Sequence, residues 1–520
     1  MRTEEGRLSQ NESLYFYKER MKSYLIFGLL ILALVACVPT QEKVSPPNII
    51  YILADDLGYG DISSFNPDSK IETPHIDALA EGGMRFIDAH SGSAVCTPTR
   101  YGILTGRYSW RTRLKKGVLW SYDPHLIPED RLTVAKLLKR NGYHTAAIGK
   151  WHLGVDFVKD EEGFVDYTQP ISHGPLSNGF DEFFGITASL DIPPYVYIED
   201  NDIIHSRIDT VEANEGLGFW RKGPVGDGFT HVGVLPRLKE EALSYINSQA
   251  STDKPFFLYF PLPAPHTPVL PIEAYEGKSS TTAYGDFVLM IDDLVGEIIA
   301  TLEKNGQADN TLIIFTSDNG FAPYADTEGL ESIGHFPSYQ FRGYKADIYE
   351  GGHRIPFIAR WPGVIPKNTS SDQTICLIDF MATVAAIQGD SLQDNQGEDS
   401  YDLLPVLKGN SQGDPVREAT VHHSVNGSFA IRQGKWKLIF CPGSGGWSAP
   451  TPKVAREQDL PIVQLYDLEV DIGEQTNLAE TNPEIVEELT TLMKKYIEEG
   501  RSTPGPAQEN EGETELFISL

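Results

Sequence analysis

Cysteine is scarce in this chain. Four Cys occur among 520 residues, with no tight spacing. That argues against a disulfide framework and against a cysteine-built zinc site. Positive charge is also in deficit: 43 Lys and Arg face 73 Asp and Glu, a formal net charge of -30. Such a chain is soluble and repels nucleic acid, which excludes it as a partner. No internal repeat is present. The apolar run near the start, Tyr24 to Ala36, falls short of the ~20 residues that span a bilayer.

What is there is ordinary globular material, 40% hydrophobic and 22% charged, long enough for a large core and two domains. The short apolar run follows Met21 and Lys22 and fits a signal-peptide core. It ends Leu34-Val35-Ala36-Cys37, which resembles a bacterial lipobox. The expectation is a protein secreted across the inner membrane and held there, in the periplasm or at the surface, only by a lipid on Cys37. Polar residues 1–20 precede a better start at Met21, and Thr40 to Pro47 reads as a tether.

Asn48 to Ala54 is a near-continuous apolar run, the pattern of a strand buried on both faces of a parallel sheet. His144 to Ile148, Pro255 to Pro261 and Thr311 to Thr316 read the same way. Helices are expected at Pro74 to Glu81, Arg131 to Arg140, Pro236 to Ser248 and Tyr284 to Lys304. This alternation predicts an α/β fold whose mostly parallel sheet is flanked by helices. Ligands of such sheets gather beyond the strands' carboxyl ends. Asp55-Asp56, Lys150 with His152, His266, and Asp318-Asn319 each follow a predicted strand, so all land on one rim. Any one pair alone reads as a surface turn; four at four strand ends do not. A polar boundary near residues 412–418 separates a smaller carboxyl-terminal α+β domain (413–505), read as an antiparallel sheet with one helix. The catalytic part spans 48–412, residues 1–47 lie upstream, the tail is 506–520, and the Pro/Glu-rich stretch from Arg501 is expected to be disordered until Glu515.

The string Cys96-Thr97-Pro98-Thr99-Arg100, followed by Leu104-Thr105-Gly106, resembles the signature of type I sulfatases in the alkaline-phosphatase-like superfamily. Gly149-Lys150-Trp151-His152-Leu153-Gly154 and Pro265-His266-Thr267-Pro268 fit the same family. The resemblance implies that a maturation enzyme oxidises Cys96 to Cα-formylglycine. One hydroxyl of the hydrated aldehyde attacks sulfur, and the other expels sulfate, which splits a hard step into two. It also implies Ca²⁺ at Asp55, Asp56, Asp318 and Asn319, with residue 96 beside it. Hard carboxylate oxygens in one place call for such a cation on their own account. By resemblance, Arg100 faces the diol or sulfate, and Lys150 and Lys345 bind sulfate. His152 handles the diol proton, and His266 protonates the leaving alcohol. The chain as a whole repels a sulfated substrate, so this local ring of bases must overcome the net charge.

Asp191, in Ser-Leu-Asp-Ile-Pro-Pro-Tyr, and His353-Arg354, after a double Gly, resemble substrate contacts of bacterial enzymes acting on sulfated galactose or N-acetylgalactosamine. The basic stretch Arg107 to Lys116 could also meet anionic sugar, or be a solvated face. The function expected is calcium-dependent hydrolysis of a carbohydrate sulfate ester. Two alternatives stay open: a phosphomonoester or phosphonate hydrolase on the same fold, and a silent glycan-binding lipoprotein.

Overall fold

Alternate side chains of Asn48–Ala54 (β1) enter two different cores. Ile50, Ile52 and Ala54 join one, and Ile49, Tyr51 and Leu53 the other. A strand without a polar face must be covered on both sides. The computed structural model describes residues 14–22, 46–410 and 413–518. Residues 14–22 form an exposed helix counted apart from the unit Pro46–Leu520. Cys37 and the apolar run before it lie outside the described residues. Among the described residues, no helix is long and apolar enough to cross a membrane.

β1 sits in a ten-stranded sheet. Its neighbours are Phe256–Pro261 (β3) on one side and Thr311–Ser317 (β4) on the other; His144–Lys150 (β2) lies beyond β3. All four strands run parallel. Antiparallel pairing enters only toward the edges, as where Phe357–Arg360 meets β4. Helices Pro74–Glu81, Val234–Gln249 and Ala283–Lys304 cover one face. Cys96–Thr105 (α1), Val134–Arg140 and Phe380–Gln388 cover the other. The expected α/β sheet is therefore present, with small differences at its element ends. The helix expected from Arg131 starts at Val134, because the Thr133 side chain accepts a hydrogen bond from the Lys136 N–H and caps it there. β2 runs on past Ile148 to Lys150, paired residue for residue with Glu182–Ile186.

A second, four-stranded antiparallel sheet comprises Thr420–His423, Phe429–Gln433, Trp436–Ile439 and Gln464–Asp467. Helix Pro483–Glu498 packs on it through Leu489, Met493 and Tyr496. This sheet is sewn to loops of the larger sheet: the Ala94 N–H donates to the His423 carbonyl at 2.9 Å, and the Ile348 N–H to the Ser444 carbonyl at 2.8 Å.

The tail expected to be disordered is packed instead. The Glu511 N–H donates to the Arg111 carbonyl at 2.7 Å, and Arg107 donates to the Glu509 carbonyl at 2.5 Å. Buried guanidinium groups need acceptors, and the tail supplies them. Arg111 also holds both oxygens of Asp399, each at 2.8 Å. Arg107 and Arg111 are thus neither a solvated face nor a sugar contact.

Candidate active site

The four parallel strands end on one rim, and the polar residues follow directly. The Asp55 N–H bonds the Ala264 carbonyl at 2.9 Å, and the Asp318 N–H bonds the Ala54 carbonyl at 3.1 Å. These ties between loops bring Asp55 and Asp56 together with Asp318 and Asn319, about 260 residues further along the chain. Gly320 allows the crowding: a side chain there would meet the Gly351 carbonyl at 1.9 Å. Cys96 opens α1, a buried helix whose amino end favours negative charge. Donor atoms of Asp55, Asp56, Cys96 and His266 all lie within 4.8 Å of one another.

Three acids meet three bases here. The Lys150 ammonium donates to Asp55 at 2.6 Å. Arg100 donates to Asp318 through Nε at 3.0 Å and through a terminal nitrogen at 2.7 Å. Lys345 reaches both oxygens of Asp56, at 2.6 and 2.7 Å. Asn319 donates to Asp56 at 2.7 Å. Burial alone would raise Asp55, but Lys150, His266 and Arg100 hold it well below the usual carboxylate range. Burial and then the charge of Asp55 push Asp318 up to about 7. The site is crowded with negative charge, and two buried oxygens, Asp55 Oδ1 and Asn319 Oδ1, accept no hydrogen bond. A divalent cation fits that donor set: hard oxygens, two of them unsatisfied, in a place where like charges compete.

A cavity of about 500 Å³ opens over this cluster, with Cys96, His152, Asp191, His266, Tyr324 and Lys345 in its wall. Burial pushes the Cys96 thiol up to about 12, against the pull of Lys150 and Lys345. His152 turns at φ 55° beyond the end of β2, so it is not on the extended backbone that its spacing from Lys150 suggested. Its Nε2 lies 2.9 Å from the Leu119 carbonyl, and its Nδ1 has no partner. A carbonyl can only accept, so Nε2 carries the hydrogen and Nδ1 is a free acceptor. Burial, then Lys150 and Arg100, keeps this ring neutral. Burial and Lys345 also lower His266.

Of the residues expected at the site, Arg100 and Lys150 come to the cluster but not to the cavity wall; both are buried beneath it, paired to the acids. Asp191 lines the cavity and accepts from Arg221 at 2.5 Å, a partner the sequence reading did not single out. His353 and Arg354 are not substrate contacts in this fold. His353 is 0% exposed, stacked on His422 at 3.9 Å and bonded to His90 at 3.0 Å. Arg354 is held by Glu350 and Asp88, both at 3.1 Å. The double Gly turns the chain inward, under the second sheet, which makes both residues part of the interior. Tyr324 and Trp447 were missed. Tyr324 shares the strand-end loop of Asn319, so the rim rule reaches it; Trp447 arrives from the second sheet and has no local signal.

A model of the sulfatase family matches residues 47–389. The chain is 34% identical over 491 residues to an N-acetylgalactosamine-6-O-sulfatase of Bacteroides thetaiotaomicron, covering 87% of this chain and 93% of that one. It is 32% identical over 514 residues to human arylsulfatase A, covering 93% and 94%. A solved structure from work on glycosaminoglycan metabolism by B. thetaiotaomicron superposes with a TM-score of 0.77 at 33% identity, covering 87% of this chain and 99% of that one. With a rim of acids, bases and a buried Cys already in place, these matches make the assignment: the chain belongs to the sulfatase family and is a sulfuric ester hydrolase.

Proposed function

We propose that this enzyme removes sulfate from a sulfated galactose or N-acetylgalactosamine unit, at the 6-position, using a formylglycine matured from Cys96 and a Ca²⁺ held by Asp55, Asp56, Asp318 and Asn319. The observation that carries the reading is the meeting of Asp55, Asp56, Cys96 and His266 within 4.8 Å at the mouth of parallel strands. The sugar and its position rest on the N-acetylgalactosamine-6-O-sulfatase relative. The lipobox-like Leu34-Val35-Ala36-Cys37 supports a lipid anchor in the same way.

Chemistry at residue 96 favours modification. A thiol lifted to about 12 stays protonated at neutral pH and is a weak nucleophile. A hydrated aldehyde there would supply a hydroxyl nucleophile, and Ca²⁺ would neutralise sulfate charge. The chain's own residues do the rest. Lys345 faces the cavity, and Asp56 outweighs burial to keep it charged, so it can hold sulfate oxygens. His152, with Nδ1 free, can accept a proton from a hydroxyl on residue 96. A bound sulfate's charge draws His266 back toward its protonated form, in which it can give a proton to the leaving sugar oxygen. Asp191, beside Arg221, offers a carboxylate to sugar hydroxyls.

Sulfate release from a panel of position-defined sulfated monosaccharides tests this. The expected result is turnover of a 6-O-sulfated galactose or N-acetylgalactosamine, and none of an aryl phosphate. Faster hydrolysis of the phosphate would establish the phosphatase alternative, and no turnover of any ester by protein modified at Cys96 would overturn the reading.

A further inference from the structure

The catalytic cavity has two unlike sets of lining residues. Lys345 and His266 are nearly buried over the paired acids, whereas the aromatic rings are half exposed, with Tyr324 reaching inward to 6.4 Å from the His266 ring. Trp447 is 44% exposed and Tyr324 45%, and both line the cavity. Their ring centroids are 5.7 Å apart, inclined at 49°. Trp120 also lines the cavity, 50% exposed, with the Arg221 guanidinium 5.0 Å over its ring. Large apolar rings held out in water in the wall of a functional cavity serve a ligand rather than the fold.

Trp447 is held firmly in that position. Its backbone N–H donates to Asp347 Oδ1 at 2.8 Å, and the backbone N–H of Ser448 donates to the same oxygen at 3.0 Å. Gly446 lies so close to the chain that a side chain would meet the Ala346 carbonyl at 2.4 Å. Lys345 is the residue just before Ala346. The loop from the second sheet is thus seated on the backbone that carries a sulfate-facing ammonium. The backbone at Trp447 is fixed relative to the reacting end, and its ring rests beside Tyr324, which is what a binding platform needs.

We infer that Trp447, with Tyr324, is a stacking platform for the sugar joined to the sulfated one. The proposal rests on the carbohydrate reading above. Anchoring the sulfate at Lys345 and His266 points the rest of the glycan toward the exposed rings. A pyranose ring presents one face of C–H groups, which packs on an indole as an apolar surface does. The platform therefore recognises a neutral or weakly polar neighbouring sugar and makes the enzyme prefer a glycan over its monosaccharide. Binding energy gathered away from the reacting centre in this way appears in kcat/KM for the longer substrate.

The test is the ratio of kcat/KM for a monosulfated disaccharide to that for the same sulfated monosaccharide, measured on the full matured protein. The unaltered enzyme is expected to favour the disaccharide. Trp447→Ala should lower the ratio about tenfold, Tyr324→Leu by less, and Trp447→Phe should keep most of it. A ratio at or below one in the unaltered enzyme contradicts the proposal, even if Trp447→Ala does not fold. So does a ratio unmoved by both Trp447→Ala and Tyr324→Leu. Turnover of an aryl sulfate with neither sugar accepted would overturn the carbohydrate reading and this inference with it, whereas an unmoved ratio overturns this inference alone.

Discussion

Two buried clusters in this molecule have the same charge inventory and opposite uses. At the rim, Asp55, Asp56 and Asp318 face Arg100, Lys150 and Lys345. Between the two sheets, Asp88, Glu350 and Glu474 face Arg354, Arg432 and Lys437. Each has depressed acids, Asp55 in the first and Asp88 and Glu350 in the second, and one acid pushed up to about 7, Asp318 in the first and Glu474 in the second. What differs is closure. Beside the second cluster, both nitrogens of His90, His353 and His422 have partners, and the His353 and His422 rings lie 7° from parallel. Rings stacked that way aim their lone pairs side by side, not at one point, so they do not form a metal site. In the second cluster Glu474 Oε1 accepts no well-aligned hydrogen bond but has the Lys437 ammonium at 2.8 Å. At the rim, Asn319 Oδ1 has no partner and Asp55 Oδ1 only a guanidinium nitrogen at 3.4 Å, beside a cysteine and an opening. Charge density does not mark a site; charge left incompletely satisfied at a cavity does.

Substitutions on the two sides should therefore behave differently. The largest effect is expected for Cys96→Ala, which should cut kcat on the order of 10⁴-fold or more while the melting temperature hardly moves. Activity within tenfold of the unaltered enzyme would break the contrast at once. Chelation should come next. Treatment with EGTA is expected to lower sulfate release by roughly 10- to 100-fold, and added Ca²⁺ to restore it, read by ion chromatography. Asp191→Ala should lower kcat/KM for a sulfated sugar by about tenfold or more, with a smaller loss on an aryl sulfate. In the closed cluster the sign reverses. His353→Ala should cost about 2–4 kcal/mol of stability by denaturant titration, because it leaves buried partners unsatisfied, yet the folded fraction should keep kcat within a few-fold. A catalytic loss without a stability loss would return His353 to the substrate side.

The smallest effect concerns pH. Burial, chiefly, keeps His90, His353, His422 and His423 below their usual value. The unfolded chain takes up those protons near pH 6.5 and the folded one does not, so stability falls as pH drops below about 6.5. Glu474, raised to about 7 chiefly by burial, acts the other way. His422→Phe removes one ring's share and should make the fall of melting temperature with acid shallower. An unchanged slope would mean that His422 is already charged in the fold.

Much of the fold was legible because its strands are apolar on both faces. Asn48 to Ala54 has no other stable use than a covered central strand, and the acids after it mark the carboxyl edge. Ends were less legible, since they depend on single contacts such as the Thr133 cap. Asp55, Asp56, His266 and Asp318 could be placed together from strand order alone. His353 and Arg354 could not be placed, because their neighbours His90 and His422 come from segments about 260 and 70 residues away in sequence. Trp447 was hidden for the same reason: only the docking of the second sheet puts it beside Lys345. The tail was misjudged because its composition is polar, while the buried arginines it serves are some 400 residues upstream.

On the proposed function, residue 96 acts as a nucleophile made from Cys96 beside the rim acids, not as a buried thiol. Mass spectrometry of the peptide spanning residues 91–100, from protein expressed with a maturation enzyme, tests it most directly. A peptide about 18 Da lighter than the Cys form, its abundance tracking sulfate release across preparations, is the expected result. Full activity in protein whose Cys96 is entirely an unmodified thiol would contradict the account.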